Sequence, residues 1–129
     1  YQIFAGWHDA VGTTVVTDGV YWQYDDAASA AWQGATANNT ARTTTGVAGP
    51  TVNTNYIWLG IFVNSTWTRA TYFYSEDSIT WTIAGSHTTN LPTAARSTGF
   101  GVTINKTVGT TQRNCSVDLL AHRYDLTRG

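Results

Sequence analysis

Glycoside hydrolysis by either common route needs two carboxyl groups facing each other across the scissile bond, one as acid and the other as nucleophile or base. The only glutamate of the chain, Glu76, has Asp77 beside it in what reads as a hairpin tip. Successive strand residues point to opposite faces, so this pair cannot straddle one bond unless the turn redirects it. Both read as solvated turn residues. His8, His87 and His122 lack the local setting of a serine or cysteine triad, and His122 reads as a strand residue with Asp118 and Tyr124. Cys115 is the single cysteine, so no intrachain disulfide forms, and no paired Cys/His spacing supports zinc. Asp25 and Asp26, joined by Asp9 or Asp18, are the calcium candidates, although adjacent aspartates in a loop also read as turn residues bonding their own backbone. Thr98-Gly99-Phe100-Gly101 lacks the third glycine and the following helix of a phosphate loop. The expectation is a protein that is not an enzyme and takes no cofactor.

Aromatic residues are the more suggestive chemistry: six Trp, seven Tyr and four Phe in 129 residues. Flat rings stack against sugar faces and anchor protein partners at low entropic cost. Most must fill a core. Those expected to reach a glycan or partner are Trp22 and Tyr24, with Trp32 nearby, and Trp67 beside the Asn64-Ser65-Thr66 turn. Arg42 and Arg96 are the candidate bidentate donors.

Charge narrows the partners further. Seven basic and eight acidic residues give a net charge of −1, without the basic stripe that nucleic acid or anionic lipid requires. No apolar run approaches the roughly 18 residues of a membrane span, the longest being residues 57–63. Neither nucleic-acid binding nor membrane insertion is expected. The chain starts at Tyr1 without any methionine, which reads as a processed product or the C-terminal part of a longer chain. Four Asn-x-Ser/Thr acceptors, at Asn38, Asn64, Asn105 and Asn114, are little more than this composition supplies by chance.

The elements that must position these residues are strands. One Lys and one Glu leave nothing for helix-surface ion pairs, whereas 24 Thr favour pleated structure. Alternation predicts strands over residues 2–7, 14–17, 20–25, 31–36, 41–45, 57–63, 66–74, 79–83, 100–105 and 115–124. Ile79, Trp81 and Ile83 should form a buried face, and residues 57–63, apolar on both sides, a central strand. Asp18-Gly19 reads as a hairpin turn, Gly49-Pro50 as a loop and Val108-Gly109-Thr110 as a tight reversal. Residues 26–31 are the one helix-like patch, marginal as a helix at six residues and equally readable as a loop. About ten short strands in one domain over residues 1–129 predict an all-β, antiparallel β-sandwich.

Several phrases together carry a resemblance. Asp18-Gly19-Val20-Tyr21-Trp22, Trp32-Gln33-Gly34-Ala35-Thr36, the apolar run to Val63 and Thr71-Tyr72-Phe73-Tyr74-Ser75 resemble the concanavalin A-like, jelly-roll β-sandwich domains of bacteriophage virion proteins. His87-Thr88-Thr89-Asn90-Leu91-Pro92, Gly99-Phe100-Gly101-Val102, Lys106-Thr107-Val108-Gly109-Thr110 and Val117-Asp118 extend it over nearly the whole chain. Ser75-Glu76-Asp77-Ser78-Ile79-Thr80-Trp81 is similar to the Ser-x-Asp-Gly-x-x-Trp hairpin of such sandwiches, with Ser78 in place of Gly; Asp77 is then the residue expected to take the positive backbone angle. The paired-glutamate strand motif of the related glucanases is absent. The resemblance implies a non-enzymatic virion domain on the capsid or tail surface, or otherwise extracellular, that binds other virion subunits as a homo-oligomer, a trimer above all, and host-surface glycans. The rival expectation is a carbohydrate-binding module of a secreted polysaccharide-degrading enzyme, marked by a co-planar strip of exposed Trp or Tyr.

Overall fold

The computed structural model describes residues 1–10, 15–93, 96–106, 109–110, 112, 114–118 and 120–121. Among them lie nine strands and no helix: β1 (Gln2–His8), β2 (Gly19–Asp25), β3 (Ala31–Asn38), β4 (Ala41–Thr43), β5 (Ala48–Thr51), β6 (Trp58–Val63), β7 (Ala70–Ser75), β8 (Thr82–His87) and β9 (Gly99–Asn105). All pairings are antiparallel. The large sheet runs β4-β3-β2-β1-β9, with β5 also on β3; the small sheet runs β6-β7-β8. The small sheet packs mainly over β2, β3 and β5. The chain is therefore an all-β sandwich, as its alternation implies.

Period-two chemistry explains the core. Ile3 and Ala5 of β1, Val20 and Trp22 of β2, and Trp32 of β3 point inward to meet Leu59, Ile61, Tyr72 and Ala70 of the small sheet. Burying such side chains contributes roughly 1.5–3 kcal/mol each. The Trp22 indole Nε1 donates to the Gly60 carbonyl at 3.1 Å, so its one polar atom is satisfied across the sheet interface. The opposite face of the large sheet is also covered: Phe4, Tyr21, Ala35 and Ala37 form a second cluster with Ala10 and Val16 from the segment between β1 and β2.

Several local expectations are corrected. Residues 57–63 do not form a central strand; β6 pairs only with β7 among the described residues and stands at a sheet edge. Gly49-Pro50 lies inside β5, an edge position where proline's missing N–H breaks no ladder. Asp18-Gly19 does not close a two-residue hairpin, because Gly19 already pairs with His8 and the whole segment from Asp9 to Asp18 connects the strands. Residues 15–17 are not in a strand, and Thr14 lies outside the described residues. Of the two readings of residues 26–31 the loop is the one found: a single turn, closed by the Ser29 amide on the Asp25 carbonyl at 2.9 Å, leads into β3 at Ala31. Residues 66–69 belong to a turn rather than to β7. Residues 115–118 and 120–121 are not in a strand, while Leu119, His122 and Tyr124 lie outside the described residues. Ile79 and Trp81 precede β8, and with Ile83 they are exposed rather than buried.

Candidate functional site: the outer face of the small sheet

Register decides which residues share this face. Gly60, Phe73 and Ile83 are directly paired across β6, β7 and β8, and one step along Phe62 pairs with Thr71 and Thr71 with Ser86. Paired residues project to the same side, and the alternate row, Ile61 with Tyr72, is the one that enters the core. A register shift between Tyr72 and Phe73 leaves Ala84 as the extra residue of β8, and this bulge turns Ile83 outward. Trp81 lies across Gly60: a Cβ built there would sit 3.3 Å from Trp81 Cζ3 and 3.7 Å from Phe73 Cβ. A side chain there would press on the indole edge, which would have to shift by a few tenths of an ångström.

The result is a nearly uncharged apolar surface. Phe62 is 58 % exposed, Ile83 68 %, Trp81 48 % and Ile79, in the adjoining turn, 83 %. Phe73 and Trp58 are half-buried beside them. At one end Arg69 Nη2 donates to Ser86 Oγ at 2.9 Å, which puts a guanidinium on the rim.

Two turns frame the face. Asp77 Oδ1 accepts from the Ile79 and Thr80 amides, at 2.9 and 2.7 Å, and from Ser75 Oγ at 2.9 Å. These donors hold its carboxyl far below the usual carboxylate range, the Thr80 amide foremost. Ser78, rather than Asp77, takes the positive φ, at 64°. At the other end Asn64 organises residues 64–69: Oδ1 accepts from the Thr68 and Arg69 amides, and Nδ2 donates to Thr66 and Thr68 Oγ1. Trp67 sits at this tip, 45 % exposed, with φ at 54°.

The other residues singled out from the sequence are placed differently. Trp22 and Trp32 are core residues, 1 % and 7 % exposed, because both stand on inward-facing positions. Tyr24 is half-buried against Tyr1 and Trp32. Arg42 Nη2 donates to Gln23 Oε1 at 2.5 Å, which commits the guanidinium to the large sheet. Arg96 Nε lies 3.4 Å from Asp18 Oδ1 and ties down the segment before β2. Of these six, Trp67 alone is an exposed ring, and it stands at the turn beyond the patch. Gln2 Nε2 and the Ala27 amide donate to Asp25, and the Tyr1 amino group pairs with Asp26. No third His, Cys, Asp or Glu joins them among the described residues. Asp9 instead accepts from the Thr17 hydroxyl and from the Thr17 and Asp18 amides. Burial pushes the Asp9 carboxyl up, but these donors more than offset it and its affinity for protons falls.

Sequence reasoning did not bring Phe62, Phe73, Trp81 and Ile83 together as one outer face. Their signal was present as alternation, which reports that side chains share a face but not that anything covers it. No helix among the described residues is long and apolar enough to cross a membrane. Compared with protein-family models, curated proteins and solved structures, the chain matches none.

Proposed function

We propose that this chain is a non-enzymatic assembly domain of a virion surface, of concanavalin A-like, jelly-roll type, which docks through the outer face of β6, β7 and β8 onto another protein subunit. One observation carries the reading: Phe62, Ile79, Trp81 and Ile83 are all exposed around one sheet face. Contiguous apolar surface of this kind marks a protein contact, and Trp, Phe and Arg are the residues enriched there. The phage context rests on the resemblance of the hairpin and strand phrases. Three strands about 4.8 Å apart and six residues long have a flat footprint of roughly 300 Å². A stable pair of proteins needs about 800 Å² from each partner. The face therefore suits one weak contact repeated around a symmetric particle, where linkage to neighbours multiplies it.

A carbohydrate-binding module is the second reading, favoured by the half-exposed Trp81 indole lying over Gly60 with the Arg69 guanidinium on the rim. The exposed isoleucines oppose it, since branched aliphatic side chains offer a sugar neither a stacking plane nor a hydrogen bond. Sedimentation over a concentration series, with a cellohexaose and xylohexaose titration read by tryptophan fluorescence, separates the two. The expected result is association that rises with concentration, is abolished by Ile83→Ser, and is indifferent to both sugars. A chain that stays monomeric at all concentrations and shows a saturable sugar response lost in Trp81→Ala overturns the assembly reading.

A further inference from the structure

The three strands of the small sheet contain no Asp, Glu, Lys or Arg. Between Arg42 and Arg96 the sequence has three such residues, Arg69, Glu76 and Asp77. They bracket β7, the middle strand: the cation comes immediately before Ala70 and the two anions immediately after Ser75. At about 3.3 Å per residue the two ends are roughly 23 Å apart. All three residues are exposed. Arg69 belongs to the outer side, since its Nη2 donates to Ser86 Oγ and Ser86 pairs with Thr71 in the outward row. The apolar face therefore lies between a positive end and a negative end.

A partner for such a face is apolar in the middle, negative at one end and positive at the other. The face itself, turned over, has that pattern. Two copies can oppose this surface about a two-fold axis in two limiting ways. With the axis along β7, Arg69 lies over the Arg69 of the second copy and carboxylates lie over carboxylates, so both ends repel. With the axis across the strands, the two β7 strands run antiparallel and both ends attract. The axis then crosses midway between residues 69 and 76, between Tyr72 and Phe73. Ile83, level with Phe73, comes beside the Ile83 of the second copy, and Phe62, level with Thr71, comes close to its Trp58, level with Ser75. Four exposed or half-buried apolar side chains are thereby matched to apolar ones.

We infer that the partner of the outer face is a second copy of this chain, packed about a two-fold axis with the two β7 strands antiparallel and each Arg69 set against Glu76 and Asp77 of the other copy. The inference rests on reading the face as a protein contact and names the protein. Apolar burial supplies the attraction, and the charges at the ends select the orientation. The small footprint makes the pair a weak one.

Sedimentation equilibrium of the full chain at pH 7.5 tests it, carried to about 1 mM to reach a weak pair. The expected outcome is a monomer–dimer equilibrium that weakens by about threefold or more between low and high NaCl, as attraction between exposed charges requires. Glu76→Lys should weaken the pair by about threefold and Arg69→Glu by about tenfold. Added to Arg69→Glu, however, Glu76→Lys should strengthen it by about threefold. Within one chain the two positions are roughly 23 Å apart, well beyond a Debye length of about 8 Å, so this reversal of sign arises only between copies. Circular dichroism checks that each variant is folded, and the salt series needs no variant. Additive effects of the two substitutions, with association still lost in Ile83→Ser, would overturn this pairing while leaving the face a protein contact. A trimer, or association that salt leaves unchanged or strengthens, would overturn it as well. A chain monomeric to the top of the series overturns the self-pair, and the sugar titration then decides the reading of the face itself.

Discussion

The Tyr72 hydroxyl donates a 2.6 Å hydrogen bond to the Ala35 carbonyl, joining the middle strand of the small sheet to the large one through a fully buried contact. Ala35 falls where β3 changes partner on one side, from β5 at Gln33 to β4 at Thr36. The phenol thus supplies a donor where the ladder is interrupted. Burial holds its proton well above the ordinary tyrosine range, so the hydroxyl stays a donor throughout physiological pH. Tyr72→Phe leaves the carbonyl unpaired and should lower unfolding stability by about 1–3 kcal/mol in urea titration.

Gly34 makes the same approach sterically. A Cβ there would lie 2.5 Å from Val47 Cγ1 and 2.9 Å from the Tyr72 ring. Gly34→Ala should therefore destabilise by about 1–3 kcal/mol through overpacking, visible as a lower melting temperature, whereas Gly46→Ala meets no atom within 4 Å and tests only the backbone angle of 87°.

Acidification should weaken the fold through two histidines. His8 is buried between Phe4 and Tyr21, and neither ring nitrogen makes a hydrogen bond of normal geometry among the described residues. Burial lowers its pKa below 6.5, with the Gly101 and Phe4 backbone and the Asp9 charge pulling weakly the other way. His87 is lowered by burial too, opposed by its Nε2 contact with the Thr45 carbonyl at 3.0 Å. The folded chain keeps both neutral where the unfolded chain has taken up protons, so stability is full above 6.5 and declines as pH falls through and below that value. Urea midpoints between pH 7.5 and 5 should show this slope, and His8→Leu should flatten it.

Trp67 occupies a backbone conformation that disfavours bulky side chains by roughly 1–2 kcal/mol. Trp67→Gly should then leave stability unchanged or raise it by about 1 kcal/mol, while Asn64→Ala, which removes the turn's acceptors, should lower it by about 1–3 kcal/mol.

The strands with neighbours on both sides, residues 2–7 and 20–25, were legible almost to the residue, because both of their faces are covered and their apolar and aromatic residues run nearly unbroken between polar ends. Asn64 hid the start of β7: Thr66 and Thr68 fit a strand pattern, yet a side-chain amide captures the backbone before the ladder begins. Pro50 hid β5, since proline marks loops more often than sheet edges. Ile79, Trp81 and Ile83 alternate like a core strand, and sequence holds no mark distinguishing a side chain buried by its own fold from one left exposed. Trp22 and Trp32 were misplaced for the converse reason: aromatic identity does not tell which side of a pleat faces in.

Ala10 and Val16, packed over Phe4 and Tyr21, seal the back of the large sheet, so the sandwich has a finished rear and an unfinished front. Two copies meeting through the exposed front would therefore oppose their small sheets and close into a pair, because the covered rear offers no second equivalent surface from which a column could grow.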